Sequence, residues 1–542
     1  MDKLFYPESV VIVGLSSNPR GISRVVLENL LRWGFGGKIF GVNPHSHDGY
    51  VKGIKVYNAL TELPEVPDLA VCLIPARLIP DQVEQCGKLG IQRMAIPTGG
   101  FAEFNEDGRR LTDLMVENAQ RYGVRIVGPN GLTVANSRNG LCLPFLPFCK
   151  PREGNISIIS QSGGVSAIML GLLMGEHMGL AKYVSIGNKV DLDEIDFLRY
   201  FGADGDTQII WLYLESIDRG RELIEAAKRI DKPIILYKAN TTSAGKKAAL
   251  SHTAALSNDE NVIDAAMEEA GIIRIHNFRD FASMTKAFQL PPMRGNRIMV
   301  MSPAGGFAVL TADLCEQAGF DFAHPGDAFY DALKQYVTAG VINLSNPLDM
   351  GDLYDTAAIT RVFFSVMHNE NVDGAVYVSE WPSWAEGDDV FTTMFRTDFS
   401  KEIRGAIVSS RKPFGICLFG APGTVAEIKG NVQFPIFDSP EEMIRCLAAQ
   451  RDFCLRLKRE PVSEKRPDII DVAAAKEWLH EHGGIIGGES LELLRLYGIT
   501  VVETLTARDE GEAIEMARKL TYPVVMKVDS PDALHKTEAQ GV

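Results

Sequence analysis

Residues 156–175 read Ile156-Ser157-Ile158-Ile159-Ser160-Gln161-Ser162-Gly163-Gly164-Val165-Ser166-Ala167-Ile168-Met169-Leu170-Gly171-Leu172-Leu173-Met174-Gly175. The β-branched run Ile156–Ile159 fits a buried strand, Ser160 to Gly164 a tight turn, and the apolar stretch through Leu173 a helix. The same order recurs twice. Val10–Val13 is followed by the turn Gly14 to Gly21 and a helix with Ile22, Val25, Val26, Leu30 and Trp33 on one face. Ile298–Met301 is followed by Ser302-Pro303-Ala304-Gly305-Gly306 and a helix to about Ala318. After each opening, strands alternate with helical patterns: Leu69–Ile74, Arg93–Ile96, Ile209–Leu214, Ile234–Tyr237, Ala375–Val378 and Gly415–Leu418. Strands separated by helices of this length predict an α/β chain of parallel sheets covered on both faces. Ligands on such sheets bind beyond the carboxyl ends of the strands, where all three glycine turns fall.

The chain has 542 residues, enough for three or four domains. A hydrophobic content of 46% supports ample core, and the net charge of −15 argues against a nucleic-acid or anionic-membrane surface. Its eight cysteines are scattered without a CxxC pair, which suits a reducing cytoplasm, argues against a structural zinc site and makes Cys72 and Cys417 buried thiols. The N-terminus lacks signal-peptide architecture, and no apolar stretch is long enough to span a bilayer. Proline-rich or charged segments at Pro144–Gly154, Gln289–Gly295 and Leu457–Pro467 mark boundaries. The expected division is 1–145, 146–292, 293–458, a linker at 459–484 and a last unit at 485–542. That unit, with Tyr522–Val528 expected as a strand, is short for a domain, so the chain is expected to be a fragment or to lack the body of its fourth domain.

The turn Gly14-Leu15-Ser16-Ser17-Asn18-Pro19-Arg20-Gly21 can hold a phosphate on unpaired amides at a helix start. It is not GxGxxG. Asn43-Pro44-His45 also stands where a dinucleotide fold puts an acid for the ribose, which disfavours NAD. Ile74-Pro75-Ala76, Thr98-Gly99-Gly100-Phe101 and Gly128-Pro129-Asn130 follow strands of the same sheet and together suit a long nucleotide ligand, although each alone could be only a turn. Ser160 to Gly164 and Ser302 to Gly306 present small residues and donors that can cradle a phosphoryl group, or serve simply as helix caps. Ser251-His252-Thr253 lies in the polar stretch Asn240–Asn258, and Glu215 ends the Ile209–Leu214 strand. A carboxylate there would orient the imidazole and raise its basicity, leaving one nitrogen nucleophilic.

As an ordered set, VVIVGLSSNPRGISR, GPN at 128–130, SQSGG, GNKVDLDEIDFLRY at 187–200, LYLES, SHT, SPAGG and Asn346-Pro347-Leu348-Asp349 resemble the NDP-forming (ADP-forming) acyl-CoA synthetases, relatives of succinyl-CoA synthetase. VVMKVDSPDALHKTEAQGV looks like the first part of that family's ATP-grasp domain. The sequence departs from the family at Ala254, usually glycine, and at Gly131-Leu132-Thr133, usually CLG. The resemblance implies a Rossmann-like CoA-binding domain, two flavodoxin-like domains and the start of an ATP-grasp domain. It implies that an acid, CoA and ATP give acyl-CoA, ADP and phosphate through acyl phosphate and phosphohistidine. His252 would carry the phosphoryl group with Glu215 as partner, and Ser162, Gly163, Gly164, Gly305 and Gly306 would hold phosphate. Ser16, Asn43, Pro75, Thr98, Phe101 and Asn130 would line CoA, Lys527 would touch nucleotide phosphates, and His535 would be a second carrier. Mg²⁺ would accompany the nucleotide without a dedicated metal site, and His252 would travel on a mobile loop at Asn240–Asn258. Trp381-Pro382-Ser383-Trp384 are candidates for a substrate wall. The partners implied are a small carboxylic acid and further copies of the chain. The alternative is a non-catalytic CoA or acyl-CoA sensing module of the acetyltransferase-fused kind.

Overall fold

Three sheets, each built around one of the three strand–turn–helix openings, carry the N-terminal 459 residues. The computed structural model describes the chain except residues 46–48, 251–259, 337–343, 352, 354–355, 381–396, 433, 459–469, 483–489 and 529–542, and except the side chains of 246, 248–250, 356 and 397–400. His252, Ala254, Trp381–Trp384 and His535 lie outside the described residues. Two compact units are present, Met1–Arg459 and Glu460–Val542.

The first sheet comprises β1 (Ser9–Val13), β2 (Lys38–Val42), β3 (Tyr50–Val51), β4 (Ile54–Tyr57), β5 (Leu69–Cys72), β6 (Arg93–Ala95) and β7 (Arg125–Val127) in the order β3-β4-β2-β1-β5-β6-β7. All neighbours are parallel except β3 with β4. The second comprises β8 (Thr133–Asn136), β9 (Leu141–Cys142), β10 (Glu153–Ser160), β11 (Leu180–Ser185), β12 (Ile209–Leu214), β13 (Ile234–Lys238) and β14 (Ile273–Ile275) in the order β14-β13-β12-β10-β11-β8-β9. The third has β15 (Arg297–Ser302), β16 (Asp321–Phe322), β17 (Leu348–Asp349), β18 (Gly374–Glu380), β19 (Phe414–Phe419) and β20 (Ile436–Phe437), ordered β16-β15-β18-β19-β20 with β17 also on β15. Counting from β10, and from β15 with the two-residue β17 set aside, the parallel strands of both later sheets run 2-1-3-4-5, the doubly wound order of flavodoxin-like folds.

The sheets do not partition the chain as their openings do. β8 and β9, which precede residue 145, pair in the second sheet, β8 antiparallel to β11 from Thr133↔Ser185 to Asn136↔Lys182. The N-terminal helix Asp2–Phe5 fastens the same region: Asn136 and Asn139 donate through Nδ2 to the Phe5 carbonyl at 3.0 and 2.8 Å, and the Phe5 ring stacks on Tyr200 at 5.3 Å. One apolar cluster joins Val10, Ile12 and Val71 of the first sheet to Ile159, Val184, Ile210 and Leu212 of the second. A second cluster joins Ile158, Tyr183 and Trp211 to Met299, Val300 and Val376 of the third sheet. Buried on both faces, these strands read as continuous apolar runs rather than alternating ones.

The residue 460–542 unit has helices Val472–His482, Ser490–Leu496 and Glu510–Lys519. Residues 522–528, expected as a strand, form none: they have no ladder partner among the described residues, and Tyr522, Val525 and Met526 are exposed. The polar stretch after Asn240 also differs from expectation. Ser243–Leu250 is a helix, with the Gly245 amide bonded to Thr242 Oγ1 at its first turn.

Candidate active site

In the first sheet the strand order reverses between β1 and β5, which opens a crevice at their carboxyl ends. Gly14 leaves β1 with φ +89°, and a Cβ there would meet the Leu73 carbonyl at 2.6 Å, so only glycine lets the two loops approach this closely. Asn43 Nδ2 donates to the Leu15 carbonyl at 2.9 Å and Asn43 Oδ1 accepts from the His45 amide at 3.0 Å, tying the loop after β2 to the glycine turn. Thr98 Oγ1 donates to the Ile74 carbonyl at 3.0 Å, and the Asn130 amide donates to the Thr98 carbonyl at 3.0 Å. Loops bearing Pro75, Thr98 and Asn130 are thereby brought together, with Ser17, Arg20, Pro75 and Asn130 exposed at the rim. Ser16 is half-buried, its Oγ accepting from the Asn18 amide at 3.2 Å. Phe101 differs from its neighbours: its ring is wholly buried in the core of this sheet, and its amide is taken by Glu103 Oε1 at 3.1 Å.

The second sheet reverses between β10 and β12, and here the turn after each strand meets the other. Gln161 Oε1 accepts from the amides of both Glu215 and Ser216, at 2.8 and 3.0 Å, and its Nε2 donates to Ser216 Oγ at 3.3 Å. Ser162 caps the helix Gly163–Gly175, its Oγ accepting from the Val165 amide at 3.4 Å. Beside Gly164 the surface is open: a Cβ there would meet nothing within 4 Å. Three side chains that the motif reading did not single out complete this corner. Lys238, 4% exposed at the end of β13, donates to the Glu215 carbonyl at 2.9 Å and the Ala239 carbonyl at 2.6 Å. Burial pushes its ammonium down to about 8. Lys189 donates to the Ser216 carbonyl at 3.1 Å while pairing with Glu194 at 3.0 Å and Asp218 at 3.0 Å. Asn188 accepts from Asn130 Nδ2 at 3.4 Å, so the loop 187–190 spans from the crevice of the first sheet to Ser216. The one sequence signal for Lys238 was a lysine closing an otherwise apolar strand, IILYK.

In the third sheet, Ser302 Oγ donates to the Val378 carbonyl at 2.8 Å and accepts from the Ala304 amide at 3.1 Å, setting the turn into helix Gly305–Gln317. The start of this helix already faces an anion. A Cβ on Gly305 would stand 2.7 Å from Asp349 Oδ2, and Asp349 is fixed by accepting the Gly351 amide at 2.9 Å. The resemblance set Gly305 and Gly306 as equals of Gly163 and Gly164, yet a carboxylate beside Gly305 opposes a phosphate approaching there. Lys527 is exposed in the residue 460–542 unit.

Family models match along the chain: a CoA-binding domain at residues 8–137, a succinyl-CoA ligase-like flavodoxin domain at 153–288 and an ATP-grasp domain at 475–542. The chain is 30% identical to acetate–CoA ligase [ADP-forming] I of Archaeoglobus fulgidus, over all of this chain and 77% of the relative. The chain belongs to the ADP-forming acyl-CoA synthetases. It is 28% identical to 4-hydroxybutyrate–CoA ligase [ADP-forming] of Nitrosopumilus maritimus, over 99% of this chain and 76% of that one. A dinucleotide-forming acetyl-coenzyme A synthetase 1 of Candidatus Korarchaeum cryptofilum, solved with phosphate and ADP, superposes with a TM-score of 0.74 at 28% identity, over 85% of this chain and 99% of that one. As a member of this family the chain is an ADP-forming acid–CoA ligase of CoA-binding, flavodoxin-like and ATP-grasp parts, and the sensing-module alternative is not favoured. No helix among the described residues is long and apolar enough to cross a membrane.

Proposed function

We propose that this ligase acts on a small carboxylic acid through a phosphohistidine at His252, oriented by Glu215. ATP gives its terminal phosphoryl group to His535 and ADP leaves; His252 then takes the group as the P–N bond to His535 breaks. A carboxylate oxygen of the acid then attacks phosphorus, the P–N bond breaks, and acyl phosphate forms. The CoA thiol attacks the acyl carbon, its proton passes to phosphate, and phosphate leaves. Glu215 keeps one imidazole nitrogen nucleophilic, and the amides at Ser162, Gly163 and Gly164 receive phosphoryl oxygens. Ser16, Asn43, Pro75, Thr98, Phe101 and Asn130 lie along the CoA, Phe101 by setting the course of its loop from the buried side. Lys527 meets nucleotide phosphates, with Mg²⁺ travelling on the nucleotide, and His535 is the second carrier.

The observation that carries this reading is the Glu215–Ser216 turn, locked beside the Ser162–Gly164 helix start at the strand-order reversal. The names of the relatives, acetate and 4-hydroxybutyrate ligases, support a small acid. Eight cysteines without a disulfide suit the cytoplasm, and association into a homo-oligomer is part of the proposal.

The test runs the reaction backwards. The protein is incubated with radiolabelled phosphate and acetyl-CoA or 4-hydroxybutyryl-CoA, and in parallel with labelled Mg-ATP. The expected outcome is an acid-labile, base-stable label on wild type from either donor, and on His252→Ala none from phosphate and acyl-CoA, with ATP labelling His535 alone. A phosphate-derived label that survives in His252→Ala, or a wild type that takes none from any donor, overturns the proposal.

A further inference from the structure

Glu215 and Ser216 are held by side chains at every backbone polar group. Their two amides go to Gln161 Oε1, the Glu215 carbonyl to Lys238 Nζ and the Ser216 carbonyl to Lys189 Nζ. The three grips come from different places: the turn after β10, the end of β13 and the loop after β11. A dipeptide leaving a strand can usually satisfy these groups with water or turn bonds. Two nearly buried ammonium groups are a costly substitute.

The cost is uneven. Lys189, with its side chain 6% exposed, is balanced by Glu194 and Asp218. Lys238 is more deeply placed and, among the described residues, no carboxylate lies within ion-pair distance of it. Its hydrogen bonds are to two carbonyls, those of Glu215 and Ala239. A buried ammonium serving two carbonyls adds little to stability, because its desolvation offsets what the bonds return. It does fix the direction in which the Glu215 side chain leaves the backbone.

We propose that Lys238 is a positioning residue for the phosphoryl-transfer step, acting through Glu215 by holding its carbonyl while Gln161 holds its amide. This rests on the reading of Glu215 as the partner of His252. A misaimed carboxylate slows phosphoryl transfer without weakening substrate binding, and a displacement of about 1 Å costs up to ~10²-fold in rate. Lys238→Met keeps the length and apolar stem of the side chain and removes the donor.

The experiment is a double-mutant cycle in the full chain. Wild type, Lys238→Met, Glu215→Gln and the double variant are compared for the rate of His252 labelling from acetyl-CoA or 4-hydroxybutyryl-CoA and radiolabelled phosphate, and for KM of the acyl-CoA. The expected result is a fall of roughly 10–100-fold in rate for Lys238→Met, with KM within about threefold of wild type. In the Glu215→Gln background, Lys238→Met should cost nothing further, because its target is gone. Costs that multiply in the double variant, or a Lys238→Met protein that labels at the wild-type rate, overturn the positioning role and leave His252–Glu215 standing. A wild type that takes no label, or Glu215→Gln labelling at the wild-type rate, overturns the His252–Glu215 reading and this inference with it. Gln161→Leu, which frees both amides, is the second variant: it should reproduce the same non-additivity, and its failure to do so also counts against the inference.

Discussion

At the scale of single residues, the glycines of the helix starts separate shape from chemistry. Gly164 has open space where a Cβ would be, so Gly164→Ala costs the fold nothing and can favour the helix by up to about 1 kcal/mol. If a phosphoryl group rests on this helix start, the added methyl blocks it. The expected outcome is an unchanged or slightly higher melting temperature with at least ~10-fold slower His252 labelling, equivalent to about 1.4 kcal/mol. Gly14→Ala is the opposite case. A positive φ and a carbonyl 2.6 Å from the new Cβ should destabilise the protein by roughly 1–3 kcal/mol, read as a lower first thermal transition and loss of CoA binding. Gly131, standing where the family usually has cysteine, belongs with Gly14: a Cβ would meet the Ser185 carbonyl at 2.6 Å. The departure noted in the sequence is therefore matched by a tight approach between the first sheet's last loop and β11.

At the scale of elements, what the sequence made legible was the strand–turn–helix unit. Ile156–Ile159, Ser160–Gly164 and the helix through Leu173 fall within the Glu153–Ser160 strand, the turn and the Gly163–Gly175 helix. Such units are local, and apolar runs bounded by glycine report them directly. Partner choice is not local. Nothing in Lys238 announces a carbonyl 23 positions earlier, and nothing in Asp349 announces Gly305, because both contacts arise only when loops from separate strands meet. The Tyr522–Val528 expectation failed for a related reason: an apolar run supplies a strand's faces but not its ladder. Asp349 gives a test of the third sheet's helix start. Asp349→Asn keeps the acceptor oxygen for the Gly351 amide and removes the charge. If phosphate visits Gly305 and Gly306, the variant should bind inorganic phosphate several-fold more tightly in calorimetry. Unchanged affinity would confine phosphate to the Gly163 start.

At the scale of the molecule, the second and third sheets are pinned by a mixed-charge cluster. Lys286, 4% exposed, reaches Glu176, Asp438 and Glu442 at 3.3, 3.3 and 3.4 Å, and Lys429 joins Glu176 and Asp438. Burial pushes the Lys286 ammonium down, but the three carboxylates overcome it and hold it above its ordinary 10.5. A raised lysine contributes stability that is intact below 10.5 and is lost as pH climbs through the folded-state value. Lys286→Met, leaving three carboxylates together, should cost about 3–5 kcal/mol at pH 7. Thermal scans should show the gap from wild type constant up to pH 10 and narrowing above it. A cavity of about 300 Å³ opens beside this cluster, lined by His177, Phe419 and Lys429. Its two carboxylates, Glu176 and Asp438, against the one lysine, Lys429, make it a poor receptor for an acid.

The two strands lent across the first boundary, β8 and β9, bear on how this protein can be recombined. A chimaera that exchanges residues 1–145 for those of another ligase would transplant the edge of the second sheet together with the first. The four-pair ladder of β8 with β11 would then join strands from different parents, buried on both faces. Breakpoints placed there should yield insoluble hybrids however well the CoA site matches. A crossover after Cys142 that also carries over the parental Leu180–Ser185 strand keeps that ladder native, and a graft of new acyl specificity should start from such a cut.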